Sequence, residues 1–192
     1  MANYLMITTH GESKFSTYNI PDCVHHWLTE SDSGLEALKI VPDHFNKKGR
    51  IDTLILLNHG LTRRESDWTE LFYPQKGQAN SIGGAFHFAG SVVKRESLPK
   101  FSTWAGKIGQ IAVFGCAVAA STDPFQGSDK TGATVKYDGN GPVFCQLFAD
   151  TTRAVVLASS TPLRAPVNFC YDEISDFVAG LNKRYTPGTV RA

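Results

Sequence analysis

The sequence has almost no charge of one sign to spare: 19 lysines and arginines stand against 18 aspartates and glutamates, for a formal net charge of +1 at pH 7. That balance leaves no strongly basic face for a phosphate backbone, so nucleic acid is not an expected partner. No apolar run approaches the ~20 residues that a membrane-crossing helix needs, and no membrane association is expected. The N-terminus, MANYLMITTHGE, lacks a basic n-region. The expectation is a cytoplasmic protein, or one exported without a Sec signal. Cysteine is sparse: Cys23, Cys116, Cys145 and Cys170 are too scattered for a secreted disulfide scaffold and lack the paired short spacings of a zinc site. The one cluster with ligand chemistry is Cys23-Val24-His25-His26, with His10 upstream and His44 downstream, and it has no matching second half. Val24, Trp27 and Leu28 fall at i, i+3 and i+4, so the spacing predicts a helix over Asp22–Glu30 that leaves the histidines near the surface. Neither a metal nor a cofactor is expected. Also missing are internal repeats, low-complexity tracts and any glycine-rich phosphate loop after a strand, because Gly83-Gly84 and the later glycines miss those patterns.

What the chain does have is apolar material: 42% of its 192 residues are hydrophobic and 11% aromatic, enough for one sizeable core and one domain over residues 1–192. Thr53–Asn58 (TLILLN), Ile111–Gly115 (IAVFG) and Ala154–Ser159 (AVVLAS) are short, continuously apolar runs, as expected of strands covered on both faces. Asn3–Thr9 is a further strand, and Ala85–Ala89 (AFHFA), between glycines, a short strand or hairpin arm. Helical spacing marks Leu35–Phe45, which Pro42 weakens or divides, and Leu98, Phe101, Ala105 and Ile108. It recurs at Val143, Phe144, Leu147 and Phe148 after Gly141-Pro142, and at Ile174, Phe177, Val178 and Leu181. Alternating helices and apolar strands imply an α/β fold: a three-layer sandwich with a mostly parallel central sheet and helices on both faces.

In such folds ligands gather outside the carboxyl ends of the strands. His59-Gly60 immediately follows TLILLN and Cys116 immediately follows IAVFG. If those strands are neighbours, about 4.8 Å apart, the two side chains could meet as a thiol–imidazole dyad. The thiolate is the nucleophile, an imidazole beside it stabilises that form, and the imidazolium can protonate a leaving amine. Backbone N–H groups of Gly60 and Cys116 are candidate oxyanion donors. The bland alternative for Cys116 is a packed thiol among Phe114, Ala117 and Val118. His10, also followed by glycine at a strand end, is a rival for the histidine. His87 within AFHFA is a spare reactive residue, and Cys145 reads as a packing residue on its helix.

An apolar strand ending in His-Gly, followed by an apolar strand ending in Cys, resembles the caspase-like clan of cysteine peptidases. The 57 positions from His59 to Cys116 are close to the roughly 50 of caspases. The likeness is nearest to the self-processing cysteine protease domains of bacterial toxins and a related bacterial surface-protein domain. It rests on IAVFGCAVA and on the glycine-flanked GGAFHFAG, and runs from about Ile51 to Ala165. It implies Cys116 as nucleophile, His59 as general acid/base, Gly60 in the oxyanion hole, and Ala158, Ser159 and Ser160 along the primary specificity pocket. The implied partner is a peptide or protein substrate; the alternative is a catalytically silent peptide- or protein-binding module. Phe114-Gly115 stands where caspases carry Gln-Ala and legumain-like enzymes an acidic residue and Ala, so neither specificity carries over. The toxin domains are activated by inositol hexakisphosphate in a basic cleft, whereas Lys47-Lys48, Arg63-Arg64 and Lys94-Arg95 are dispersed pairs. Ser121–Gly141, rich in Gly, Ser, Thr and Asp, reads as a long mobile loop that orders around substrate or is cut, with Asp123, Lys130, Lys136 and Asp138 as candidate cleavage sites.

Overall fold

The computed structural model describes residues 2–9, 23–29, 31–58, 60–62, 81–115, 117–128, 134–161, 178 and 181–188. The apolar runs become the middle of one sheet. Its strands are β1 (Tyr4–Thr8), β2 (Cys23–Trp27), β3 (Ile51–Leu57), β7 (Ile108–Phe114), β10 (Val155–Ala158) and β11 (Lys183–Tyr185). Their spatial order is β11-β10-β7-β3-β1-β2. All neighbours pair in parallel except β10 and β11, which are antiparallel. The two central strands, β3 and β7, are apolar on both sides because both of their faces are covered.

Alternation assigns the faces. Leu5, Ile7, Leu54, Leu56, Ile111, Val113, Val156 and Ala158 point into the larger core, while Met6, Ile55, Ala112, Phe114 and Leu157 point to the opposite side. Every helix with described bounds packs on the first face: α1 (Gly34–Ala37), α2 (Ile40–Lys48), the 3₁₀ helix Arg95–Trp104 and α3 (Gly141–Thr152). The second face meets Leu181 and Val178, the latter in helical conformation. The α/β reading with a mostly parallel sheet therefore holds. Most of the Ile174–Leu181 helix lies outside the described residues. No helix among the described residues is long and apolar enough to cross a membrane.

Three local expectations are corrected. Asp22–Glu30 is not a helix, since Cys23–Trp27 pairs in register with β1 from Tyr4↔Cys23 to Thr8↔Trp27. The i, i+3, i+4 match was incidental to an edge strand of partly buried residues. The helix expected around Leu98 winds three residues per turn, so Trp104 rather than Ala105 completes the buried stripe with Leu98 and Phe101, and Ile108 opens β7. Ser121–Gly141 contains a hairpin, β8 (Phe125–Ser128) paired antiparallel with β9 (Thr134–Tyr137). The division foreseen in Leu35–Phe45 falls at Leu38–Lys39, and Pro42 sits in the first turn of α2, where no intrahelical N–H bond is lost. On α3 the buried stripe is Phe144, Cys145, Phe148, Ala149 and Thr152, while Val143 is exposed.

A second sheet completes the larger core. β4 (Gly60–Thr62), β5 (Ser81–Phe88) and β6 (Ser91–Val93) form an antiparallel set in the order β4-β5-β6, and AFHFA is its middle strand. Phe86 and Phe88 of β5 join Phe101, Trp104, Phe144 and Phe148 in one aromatic cluster; the Phe101 and Trp104 rings lie 4.8 Å apart, edge to face. The buried Trp104 indole donates to the Leu38 carbonyl at 2.9 Å. This cluster fastens the second sheet to the 3₁₀ helix and α3.

Candidate active site

The register of the central sheet brings the two expected strand ends together. β3 and β7 are parallel neighbours with Leu57 level with Phe114, and the ladder runs one step further, Asn58 N–H donating to the Phe114 carbonyl at 3.1 Å. The residue after Asn58 and the second residue after Phe114 are His59 and Cys116. His59 and Cys116 lie outside the described residues, as do His10 and Cys170. Their described chain neighbours are Asn58 and Gly60 on one side, Gly115 and Ala117 on the other.

The segment after position 116 is held by backbone hydrogen bonds and by the buried side chains of Val118 and Ala119. Ala117 has a φ of 54°, a left-handed conformation that costs a non-glycine residue energy and recurs at functional turns. Its N–H donates to the Thr161 carbonyl at 3.2 Å, and Ala119 N–H donates to the Ser159 carbonyl at 2.9 Å. The Ala117 amide is thus already committed. Gly60 opens β4 opposite Phe86, with a register shift between Gly60 and Leu61. Bulges of this kind re-aim the chain and are common beside active sites.

Three glycines let backbones cross beside that turn. Gly84 N–H donates to the Val118 carbonyl at 2.9 Å, and Gly141 N–H donates to the Ala120 carbonyl at 2.9 Å. A Cβ on Gly83 would stand 1.8 Å from the Ala120 oxygen, and one on Gly141 2.4 Å from the Val118 and Ala120 oxygens. Only glycine admits so close an approach. β5, the start of α3 and the turn following Cys116 are therefore locked to one another.

The expected pocket residues are placed unequally. Ala158 and Ser159 are fully buried. The Ser159 hydroxyl donates to the Thr161 carbonyl at 2.8 Å. Ser160 is partly exposed, and its N–H and hydroxyl both donate to the Asn182 side-chain oxygen, at 3.0 and 3.2 Å. Ser160 is the one of the three whose side chain reaches solvent. Thr161 and Asn182 were missed in the sequence, because the Thr161 carbonyl and the Asn182 side-chain oxygen act only through contacts that the fold makes at the strand end.

Other expectations find their places nearby. His87 is partly buried in β5, and its carbonyl accepts from the Thr9 hydroxyl at 3.3 Å. Cys145 is fully buried in the core, and burial pushes its thiol up to about 12; burial likewise pushes Cys23 up to about 11. Neither supplies a thiolate at neutral pH. The Cys23–His26 strand gathers no ligand set: His25 Nε2 bonds the Thr8 hydroxyl at 2.7 Å, and no group of three metal-ligating side chains occurs among the described residues. Lys94 and Arg95 meet Lys136 of β9 in an open groove of about 290 Å³ beside Gly84, but Glu96 and Asp138 share it. Arg95 pairs with Asp138 at 3.8 Å and Lys94 with Glu96 at 3.6 Å, so the basic charge there is largely answered. Of the candidate cleavage positions, Lys136 lies in β9, Asp123 and Asp138 flank the hairpin, and Lys130 lies outside the described residues.

No family model, no curated protein and no solved structure matches this chain.

Proposed function

We propose that the chain is a cysteine endopeptidase of caspase-like type, with Cys116 as nucleophile and His59 as general acid/base. One observation carries the reading: the strands that end at these two residues are parallel neighbours, level at Leu57 and Phe114 and still hydrogen-bonded at Asn58. Chain connectivity then starts both residues from adjacent strand ends, about 4.8 Å apart, on the edge where α/β folds bind ligands. In the proposed reaction His59 takes the thiol proton and the Cys116 thiolate attacks the scissile carbonyl. The oxyanion is met by the amides of Gly60 and Cys116, and His59 returns the proton to the leaving amine. Water then hydrolyses the thioester and restores the thiol. The caspase-like sandwich is part of the same proposal, and so is a pocket reached through Ser160. The left-handed Ala117 supports it, as strain held immediately after the nucleophile position.

Labelling by a panel of thiol-reactive peptide probes tests the assignment. Wild-type protein is expected to be modified at one site. Cys116→Ala should abolish labelling, and His59→Ala should slow it about 10²–10⁴-fold, the usual contribution of a positioned acid/base. The high thiol pKa values of Cys23 and Cys145 keep the background low. Labelling that survives in Cys116→Ala would sink the assignment.

A further inference from the structure

Seven polar side chains are buried among the described residues: Thr8, Thr9, His44, Thr53, Asn58, Thr152 and Ser159. Six have hydrogen bonds. Thr8 meets His25, Thr9 donates to the His87 carbonyl, His44 meets the Asn3 side chain and Thr53 accepts from Gln110. Thr152 donates to the Phe148 carbonyl and Ser159 to the Thr161 carbonyl. The exception is Asn58. The residue is 6% exposed, its carboxamide atoms are buried, and neither its oxygen nor its nitrogen has a hydrogen-bond partner among the described residues.

The position makes the exception informative. Leu54 and Leu56 point into the larger core, so alternation along β3 turns Asn58 to the same side, at the sheet's carboxyl edge. Its own backbone amide is tied to Phe114, the last residue of the strand that leads to Cys116, and the next residue is His59. Leucine has almost the same shape and would bury there without the desolvation cost of an unmet amide. A native protein seldom leaves such a group unanswered without a use for it.

We infer that Asn58 is a positioning residue acting through His59: its carboxamide is unmet in the resting arrangement and takes up its hydrogen bonds as a peptide docks across the strand ends. This rests on the peptidase reading above. An amide that gains partners only with substrate bound favours the occupied state over the empty one, and it ties the Asn58–Gly60 backbone, hence the imidazole, to occupancy. Without that tie the imidazole is misplaced within the bound complex, which lowers kcat, while the hydrogen bonds lost on docking show in KM.

The test compares wild type with Asn58→Leu and Asn58→Ala on a peptide substrate chosen with the wild-type enzyme, together with thermal unfolding and the pH dependence of kcat. Asn58→Leu is expected to unfold at a higher temperature than wild type yet show a kcat about ten- to a hundredfold lower, with KM raised and the acid limb of the kcat profile displaced. Asn58→Ala, less stable for its lost volume, should show the same loss in kcat, so a folding defect in either variant leaves the other to decide. A merely structural asparagine would move stability and leave the kcat profile in place. Wild-type kcat and pH profile in both variants would overturn the inference while leaving the peptidase reading intact. A wild-type protein that neither cleaves peptides nor labels at Cys116 would overturn that reading, and this inference with it.

Discussion

At the scale of single residues, His25 and His26 of β2 and His44 of α2 make the fold sensitive to acid. His25 is half-buried, tilted against Trp27 with ring centroids 4.0 Å apart and bonded to the Thr8 hydroxyl. Burial, with a smaller push from His26, lowers its pKa from 6.5 to about 4. His26 is lowered by burial and then by Lys47; His44 is lowered by burial, then by Lys48, His26 and Lys47. Above pH 6.5 each is neutral in both folded and unfolded chains and has no effect. Between pH 6.5 and about 4 the unfolded chain takes up a proton at His25 that the folded chain refuses, so stability falls as pH falls, and the loss is complete below about 4. His25→Gln, which can keep a bond to Thr8, should therefore flatten the dependence of the thermal midpoint on pH across that window. Midpoints for wild type and variant at pH 7, 5.5 and 4.5 check this: parallel slopes would refute it. These histidines were visible in the sequence as a cluster, but their chemistry was not. A neutral, strand-borne imidazole differs from a surface one through its neighbours on β1, and nothing in Cys-Val-His-His announces that pairing.

At the scale of elements, the crossing of β5, the Val118–Ala120 turn and the start of α3 is the rigid joint behind the candidate site. Gly83→Ala puts a methyl group 1.8 Å from the Ala120 oxygen, a backbone atom that cannot swing aside. The turn must move, at a cost of about 1–3 kcal/mol or more for an overpacked site. Since that turn follows Cys116 in the chain, thiol-probe labelling should slow beyond what lost stability explains. Gly188→Ala is the control, because its Cβ would meet only the Asp150 carboxylate at an ordinary 3.6 Å. Urea unfolding and labelling rates for the pair check the expectation, and a Gly83→Ala protein with wild-type labelling would refute it. The glycines were legible as strand punctuation around AFHFA, whereas their tight approach to residues far along the chain was not. Strand β3, strand β7 and strand β10 were readable because fully buried strands need uninterrupted apolar residues. The edge strands β2 and β11, and the β8–β9 hairpin, were not: Lys183–Tyr185 and Thr134–Tyr137 form by pairing, and their sequences carry no apolar run to mark them.

At the scale of the whole molecule, strand order was the quantity the sequence did not contain. Alternating helices and apolar strands implied a mostly parallel sheet, but many arrangements satisfy that pattern, and only the observed β11-β10-β7-β3-β1-β2 order makes the histidine and cysteine strands neighbours. Core and candidate site thus depend on the same central pair, with different residues serving each. Phe148 separates the two roles. It is fully buried and packs on Phe86, Phe101, Trp104 and Phe144. It belongs to α3, in the layer that covers one face of the sheet. Phe148→Ala should cost about 3–5 kcal/mol through lost burial and the cavity left behind, a large share of a typical 5–15 kcal/mol of total stability. The sheet register that levels Leu57 with Phe114 is made by backbone hydrogen bonds that Phe148 does not touch. At low temperature, where the variant is still folded, probe labelling per folded molecule should therefore match wild type, and only the urea midpoint should fall. If labelling instead collapsed while circular dichroism still reported a folded chain, the aromatic core would be setting the geometry of the strand ends as well as holding the layers together.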